Sequence, residues 1–186
     1  MEEIGDMIVE SAKAGDERAF ARIFDFYYPE ILRFLQSRTA GDTQSIEDPH
    51  DVAQIVFVKA ARRIRQLRSN DSLRPWLYQI ARSSLADSWR SVEKDGRTKA
   101  RIREECKGVP ESPAVIAFHI PSEVAEWVAA LGEPFRETVQ LIYFEGMTHK
   151  EAGEVMGCAP GTISWRISEA LKSLREIAVE KLSGES

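Results

Sequence analysis

Cysteine is nearly absent. Cys106 and Cys158 stand far apart with no second pair nearby, so neither a zinc site nor a disulfide framework is indicated, and both thiols are expected to be reduced. Histidine is as sparse: His50, His119 and His149 are isolated from one another, and only His50 has acidic neighbours in Glu47, Asp48 and Asp51. A metal or acid–base centre needs a second ligand group at metal spacing. None occurs, so no metal, cofactor or catalytic residue is expected, and the charges around His50 read as a solvated loop. No apolar run approaches the roughly 20 residues of a membrane-spanning helix, and the first ten residues, MEEIGDMIVE, are acidic where a signal peptide is basic. A cytoplasmic protein acting neither in a membrane nor on a small-molecule substrate is expected. What is present, 43% hydrophobic and 30% charged residues in a chain of 186, is the composition of a soluble globular protein with one or two domains.

The charge is unevenly spread. The chain as a whole carries a formal charge of −5, yet Lys59 to Arg103 holds thirteen basic residues against four acidic ones. The flanking segments are both acidic. A mildly acidic total thus hides a strongly basic middle, which points to a polyanionic ligand. Its centre is Ser72 to Arg90, SLRPWLYQIARSSLADSWR. Pro75, with Asp71 or Ser72 as cap, marks a helix start. Leu77, Ala81, Leu85 and Trp89, with Trp76 and Ile80, form an apolar stripe for a core. Gln79, Arg82, Ser83, Ala86 and Arg90 fall opposite, a strip of cations and small polar groups suited to a nucleic-acid backbone.

Before this helix the chain reads as helical from the start. Ile8 and Ala12, then Phe20, Ile23, Phe24, Tyr27 and Tyr28, then Ile31, Leu32 and Leu35 keep three-to-four spacing, with Gly15-Asp16 as stop and cap and Pro29 opening a third helix. Thr39 to Pro49 is a polar loop. The next helix, DVAQIVFVKAARRIRQL, starts near His50 or Asp51. Ala53, Val56 or Phe57, Ala60, Ile64 and Leu67 serve one face, while Val52, Ile55 and Val58 add apolar surface elsewhere. Apolar groups on several sides mean a helix that is either central to its domain or docked on a partner. Arg68 to Asp71 is a short polar loop flanked by cations, able to close around a single-stranded base.

Beyond Arg90 periodicity fades into a linker with little pattern outside Val115 to Phe118. Pro121-Ser122 then opens a helix to Leu131 with Val124, Val128 and Leu131 apolar. Gly132 ends it and Pro134 starts another, with Phe135, Val139, Ile142 and Tyr143 inward and Gly146 as terminator. Thr148-His149-Lys150-Glu151 fits a capping box, and its helix runs to Met156. After GCAPG, Gly161 begins a longer helix, and two helices joined by so short a turn read as helix-turn-helix. Ile163, Ile167, Ala170, Leu171 and Leu174 share its inner face. Trp165 lies nearly opposite, beside Glu169 and Lys172, with Ser164 and Arg166 on the flanks.

Five stretches in this order carry a family resemblance: AGDERAF at Ala14 to Phe20, YYPEILRFL at Tyr27 to Leu35, DVAQIVFVKA at Asp51 to Ala60, WLYQIARSSLADSWR at Trp76 to Arg90, and EGMTHKEAGEVMGCAPGTISWRISEALKSLRE at Glu145 to Glu176. The chain resembles a bacterial RNA polymerase sigma factor of the extracytoplasmic-function group, in the sigma-70 family, over nearly its full length. The resemblance implies an all-α protein of two small helical domains: a sigma-two bundle over residues 5–92, a flexible linker over 93–119, and a sigma-four helix-turn-helix domain over 120–182. It implies core RNA polymerase and promoter DNA as partners, and an anti-sigma protein as inhibitor. By positional match, Asp51, Gln54, Ile55 and Val58 would face the polymerase clamp. Arg62, Arg65, Arg68, Ser69, Asn70, Asp71, Arg82, Ser83 and Arg90 would bind and melt the minus-ten element, with Arg68 to Asp71 capturing a flipped base. Thr162, Ser164, Trp165, Arg166, Glu169 and Lys172 would meet the minus-35 element. Three places depart from the family's usual pattern: Ile55 stands where an acidic residue is common, Trp165 and Glu169 where small or basic ones are, and the segment from Glu104 onward is acidic, so that a partner protein is expected to compete for that surface. Glu169 near phosphates is expected to repel them, although a glutamate can accept from a cytosine amino group.

Other classes predict different behaviour. A helix-turn-helix repressor would bind DNA alone as a dimer, without polymerase. A decoy that merely titrates an anti-sigma protein would have no use for thirteen cations. An enzyme would need the second ligand group that His50 lacks.

Overall fold

A computed structural model describes residues 4–39, 48–94 and 122–183, and every regular element among them is helical. They belong to two compact units, divided after Ala117.

In the first unit α1 (Asp6–Ala14) ends at Gly15, whose φ of 100° lies in the left-handed region that a side chain disfavours. Asp16 then caps α2 (Glu17–Thr39), its Oδ1 accepting from the Arg18 N–H at 2.9 Å. The stop and cap expected at Gly15-Asp16 are both there. Pro29 does not open a third helix: α2 runs straight through it. An interior proline forfeits a backbone hydrogen bond and costs about 3 kcal/mol in a helix. On either side, however, Ile23, Tyr27, Tyr28, Ile31, Leu32, Phe34 and Leu35 are all buried in one core. Burying a single such side chain stabilises by about 1.5–3 kcal/mol, so packing outweighs the break. In α1, Ala12 is buried as expected, but it is joined by Val9 while Ile8 is only half-buried.

Asp48 caps α3 (Pro49–Arg63), accepting from the His50 N–H at 2.9 Å, with Pro49 in the first turn where its missing N–H is harmless. This start lies slightly before the expected one. α3 packs on both α2 and α4 (Leu73–Lys94), so it buries a wide arc. Val52, expected on an outer face, is therefore inside with Ala53, Val56, Phe57 and Ala60. Two short 3-10 turns, Ile64–Gln66 and Asn70–Ser72, lead into α4. That helix starts two residues ahead of Pro75. Leu77, Ile80, Ala81 and Leu85 are buried as the stripe requires, whereas Trp76 and Trp89 are only half-buried, and Tyr78, Ser84 and Ser88 join the buried set. The ring of Tyr78 meets Phe34 edge-on at 5.1 Å, and Phe24 meets Phe57 at 4.9 Å, which ties α2 to both later helices.

The linker expected over 93–119 begins inside α4, to which Glu93 and Lys94 belong; its remainder, with Val115 to Phe118, lies outside the described residues, as does 40–47 of the polar loop.

The second unit comprises α5 (Ser122–Ala130), α6 (Phe135–Val139), α7 (His149–Met156) and α8 (Pro160–Ser183). Val128, Leu131, Val139, Ile167 and Ala170 form its core, with Val124, Phe135, Ile142, Phe144 and Leu174 packed against it. Beyond Val139 the chain widens into a π-helical turn, Gln140–Phe144. This wider turn changes the register: Leu141 becomes fully buried and Tyr143, expected inward, is 55% exposed. Leu171, expected on the inner face of α8, is likewise 42% exposed.

The capping box is complete. Thr148 Oγ1 accepts from the Glu151 N–H at 3.2 Å, and Glu151 Oε2 accepts from the Thr148 N–H at 2.8 Å. Gly157 closes α7 in the left-handed conformation, and α8 starts at Pro160, one residue ahead of Gly161. The turn is tight enough that a β-carbon on Gly153 would sit 2.7 Å from the Cys158 carbonyl oxygen. Only a glycine lets the two helices approach this closely.

Candidate nucleic-acid interface

Because α3 is clamped from two sides, its remaining face is fixed in space. Asp51, Gln54, Ile55 and Val58 follow the i, i+3, i+4, i+7 spacing of one helical stripe, and the structure brings them together there. Asp51 is exposed, Gln54 half-buried, and Ile55 and Val58 are 40% and 51% exposed. At the head of the stripe Tyr28 Oη lies 3.2 Å from His50 Nδ1. Burial pushes the Tyr28 hydroxyl above its usual pKa, and the carboxylates of Asp48 and Asp51 push the same way. His50 is thus an exposed first-turn residue of α3 tied to Tyr28.

The stripe continues into exposed cations: Arg62, Arg63, Arg65 and Arg68 all reach solvent. Arg65 passes over the end of α1, its Nη2 lying 3.1 Å from where a β-carbon on Gly15 would be. In the following loop Ser69 and Asp71 are exposed, but Asn70 is half-buried. Lys13 of α1 donates to Asn70 Oδ1 at 2.7 Å and to Glu10 Oε1 at 3.0 Å. Hydrogen bonds from Lys13 and then from Asn70 hold the Glu10 carboxyl below its usual pKa. Sequence spacing could not have disclosed this contact, since Lys13 and Asn70 are 57 residues apart.

On α4 the expected strip is solvent-facing: Gln79, Arg82, Ser83 and Arg90 are exposed and Ala86 half-buried. Ser83 Oγ donates to the Ile80 carbonyl at 3.0 Å, so it must rotate to donate to a phosphate. Arg90 pairs with Asp87 at 2.9 Å, and Lys59, reaching across from α3, donates to Ser84 Oγ at 3.0 Å and to Asp87 at 3.2 Å. One carboxylate thus holds two cations. Exposed pairs of this kind contribute about 0–1 kcal/mol and yield easily to a phosphate.

In the second unit the outer side of α8 is mixed. Ser164 is exposed, and its Oγ lies 2.9 Å from His149 Nδ1. Trp165 is 57% exposed and leans on Phe135 with ring centroids 5.9 Å apart. Thr162 and Arg166 are half-buried; the Arg166 guanidinium turns back to Cys158 Sγ at 3.7 Å and Met156 Sδ at 3.8 Å. Glu169 pairs with Lys172 at 2.6 Å, which partly cancels the negative charge that was expected to stand bare before phosphates. His149 and Phe135 are the contacts here that sequence reasoning missed. A capping box marks His149 as a first-turn residue and nothing more.

No cluster of metal-binding side chains occurs among the described residues, and none of their helices is long and apolar enough to cross a membrane.

With this geometry in place the relatives are informative. Residues 23–94 match Sigma-70 region 2, and residues 127–176 match Sigma-70, region 4. The RNA polymerase sigma-H factor of Pseudomonas aeruginosa is 30% identical over 183 residues, spanning 93% of each chain. The ECF RNA polymerase sigma factor SigW of Bacillus subtilis is 26% identical over 178 residues, 90% of this chain and 93% of that one. Among solved structures, CnrH in complex with the cytosolic domain of CnrY shares the fold at a TM-score of 0.68 with 22% identity, covering 99% of this chain and 100% of that one. RpoE of Bartonella quintana, solved with the anti-sigma factor NepR, does so at 0.63 with 23% identity, covering 86% and 96%. Two helical units with an exposed basic loop and a helix-turn-helix, matched in order by both regions, place this chain in the sigma-70 family as an extracytoplasmic-function sigma factor, an alternative sigma factor that directs transcription initiation.

Proposed function

We propose a division of labour between the two units. The first, residues 5–92, docks on core polymerase through Asp51, Gln54, Ile55 and Val58 and opens the minus-ten element; the second, residues 120–182, reads the minus-35 element. Opening a duplex costs a few kcal/mol of unstacking per base, which a base pocket and a cationic groove offset. The loop Arg68 to Asp71 supplies the pocket. Arg62, Arg65, Arg82, Ser83 and Arg90 supply the groove. Thr162, Ser164, Trp165, Arg166, Glu169 and Lys172 lie on or beside the helix that enters the major groove. The protein acts in the cytoplasm and catalyses no reaction of its own, since its contribution is binding energy spent on strand separation.

The observation that carries this reading is the pair Ile55 and Val58, apolar and exposed on a helix whose other faces are buried, running directly into a basic loop. Exposed apolar groups in such a setting fit a macromolecular partner. The same two side chains suit an anti-sigma protein, which would cover them and so block polymerase. Run-off transcription with purified core enzyme over a promoter library tests the proposal. Promoter-specific transcripts that need both core and this chain are expected; failure to associate with core under any condition would end it, and binding of promoter DNA as a dimer without core would indicate a repressor.

A further inference from the structure

α1 lies ahead of the segment matched to Sigma-70 region 2, yet it touches the loop assigned to base capture. Lys13 is mostly shielded, its side chain 16% exposed, and its ammonium sits between Glu10 and Asn70. A lysine ammonium can only donate. At 2.7 Å it therefore draws the Asn70 oxygen toward α1, and this settles which end of an otherwise symmetric-looking amide is held by the ammonium. The end left is the NH2 group, which has two hydrogens. Lys13 can engage neither of them, so the amide keeps donor capacity for a ligand.

We propose that Lys13 is a positioning residue for promoter recognition: by holding Asn70 Oδ1, it makes Asn70 present a hydrogen-bond donor to the captured base and so sharpens the choice among bases. The inference rests on the reading of Arg68 to Asp71 as the capture loop. An amide free to flip offers a donor to a carbonyl or ring nitrogen in one orientation and an acceptor to an amino group in the other, and it accommodates all four bases more evenly. A fixed amide rejects those whose facing group is itself a donor, because an amide hydrogen and the base's hydrogen then meet with no acceptor between them. Glu10 keeps Lys13 in place from the opposite side.

The test uses the full chain bound to core polymerase and four single-stranded minus-ten oligonucleotides that differ only at the captured position. Affinities are measured at several salt concentrations for wild type, Lys13→Met, Lys13→Arg and Asn70→Ala. The ratio of best to worst base is expected to shrink about tenfold in Lys13→Met and in Asn70→Ala, and to recover at least in part in Lys13→Arg, which is also a pure donor. Polymerase affinity is expected to stay unchanged throughout. A smaller ratio in Asn70→Ala alone would overturn the role of Lys13 while leaving the loop assignment intact. No change in either would overturn the loop assignment and the inference with it. Uniform weakening in Lys13→Met for all bases, with a salt slope reduced by about one, would overturn the inference by making Lys13 an ordinary phosphate contact. Melting curves of the variants, with Lys13→Arg as the conservative partner, separate loss of folding from loss of discrimination.

Discussion

The two units hold their outward groups differently. In the first, four helices take most apolar side chains inside, and among those left outside Ile55 and Val58 run on into Arg62, Arg65 and Arg68. In the second, the outward groups are engaged with each other: Ser164 with His149, Glu169 with Lys172, Arg166 with two sulfur atoms, Trp165 with Phe135. The apolar part of the α3 stripe gives up only water on contact, whereas Ser83 and Arg90 of α4, like much of the second surface, must exchange partners. A surface that gives up internal contacts gains less net affinity on binding.

The sharpest way to break this comparison is to charge the apolar stripe. The double variant Ile55→Asp, Val58→Asp leaves the core untouched, so its melting temperature is expected to stay within a degree or two of wild type. Affinity for core polymerase should fall by at least about a hundredfold, because each change buries an unpaired carboxylate in an apolar contact. Titration of labelled sigma factor with core measures it. A loss below about threefold would mean that these residues face solvent in the complex. A change in the second unit should be felt differently. Gly153→Ala places a β-carbon 2.7 Å from a backbone oxygen of the turn, so something must shift. Overpacking of this kind costs about 1–3 kcal/mol, enough to lower the melting transition of the second unit by several degrees, while polymerase binding through the first unit persists. Thr148→Ala, which removes the capping box, should cost about 1 kcal/mol in the same transition, as read by chemical denaturation. A variant as stable as wild type would show that the cap adds nothing to the tertiary packing of α7.

How much of this was legible in the sequence follows from the same contrast. Helical periodicity and charge counting located Ile55, Val58, Arg82, Ser83 and Arg90 on outer faces because those positions obey a regular 3.6-residue repeat. The same logic misplaced Tyr143, since the π-helical turn at Gln140–Phe144 breaks that repeat and leaves no marker in side-chain chemistry. Pro29 misled in another way. Its local preference is real, but it was overridden by packing contributed from residues 31–35 and from α3 and α4. Val52 was misread because a helix flanked on two sides buries more than one stripe. Beyond the reach of any spacing rule were Lys13 with Asn70 and His149 with Ser164, contacts made by folding between distant segments. Gly153 was visible as a letter, yet its role follows only from where the Cys158 carbonyl lies.

The smallest expected effect concerns the charge on α8. A bare Glu169 would repel phosphates strongly, and its removal would then have a large consequence, but the carboxylate is paired with Lys172 at 2.6 Å and the pair is close to neutral. Glu169→Arg replaces the pair by two cations one turn apart and should strengthen non-specific DNA binding through the second unit. About one or two additional phosphates would be neutralised, so the plot of log affinity against log salt should steepen by about 0.9–1.8. The milder Glu169→Gln only frees Lys172 and should steepen it by no more than about 0.9. At physiological salt the gain for Glu169→Gln is then a few-fold at most, since exposed pairs are weak and long-range repulsion is screened beyond about 8 Å. Unchanged or weaker binding in the Glu169→Arg salt titration would remove electrostatics from the account of this helix, and would leave base contact by Glu169 as the reason for an acidic residue on the face proposed to meet DNA.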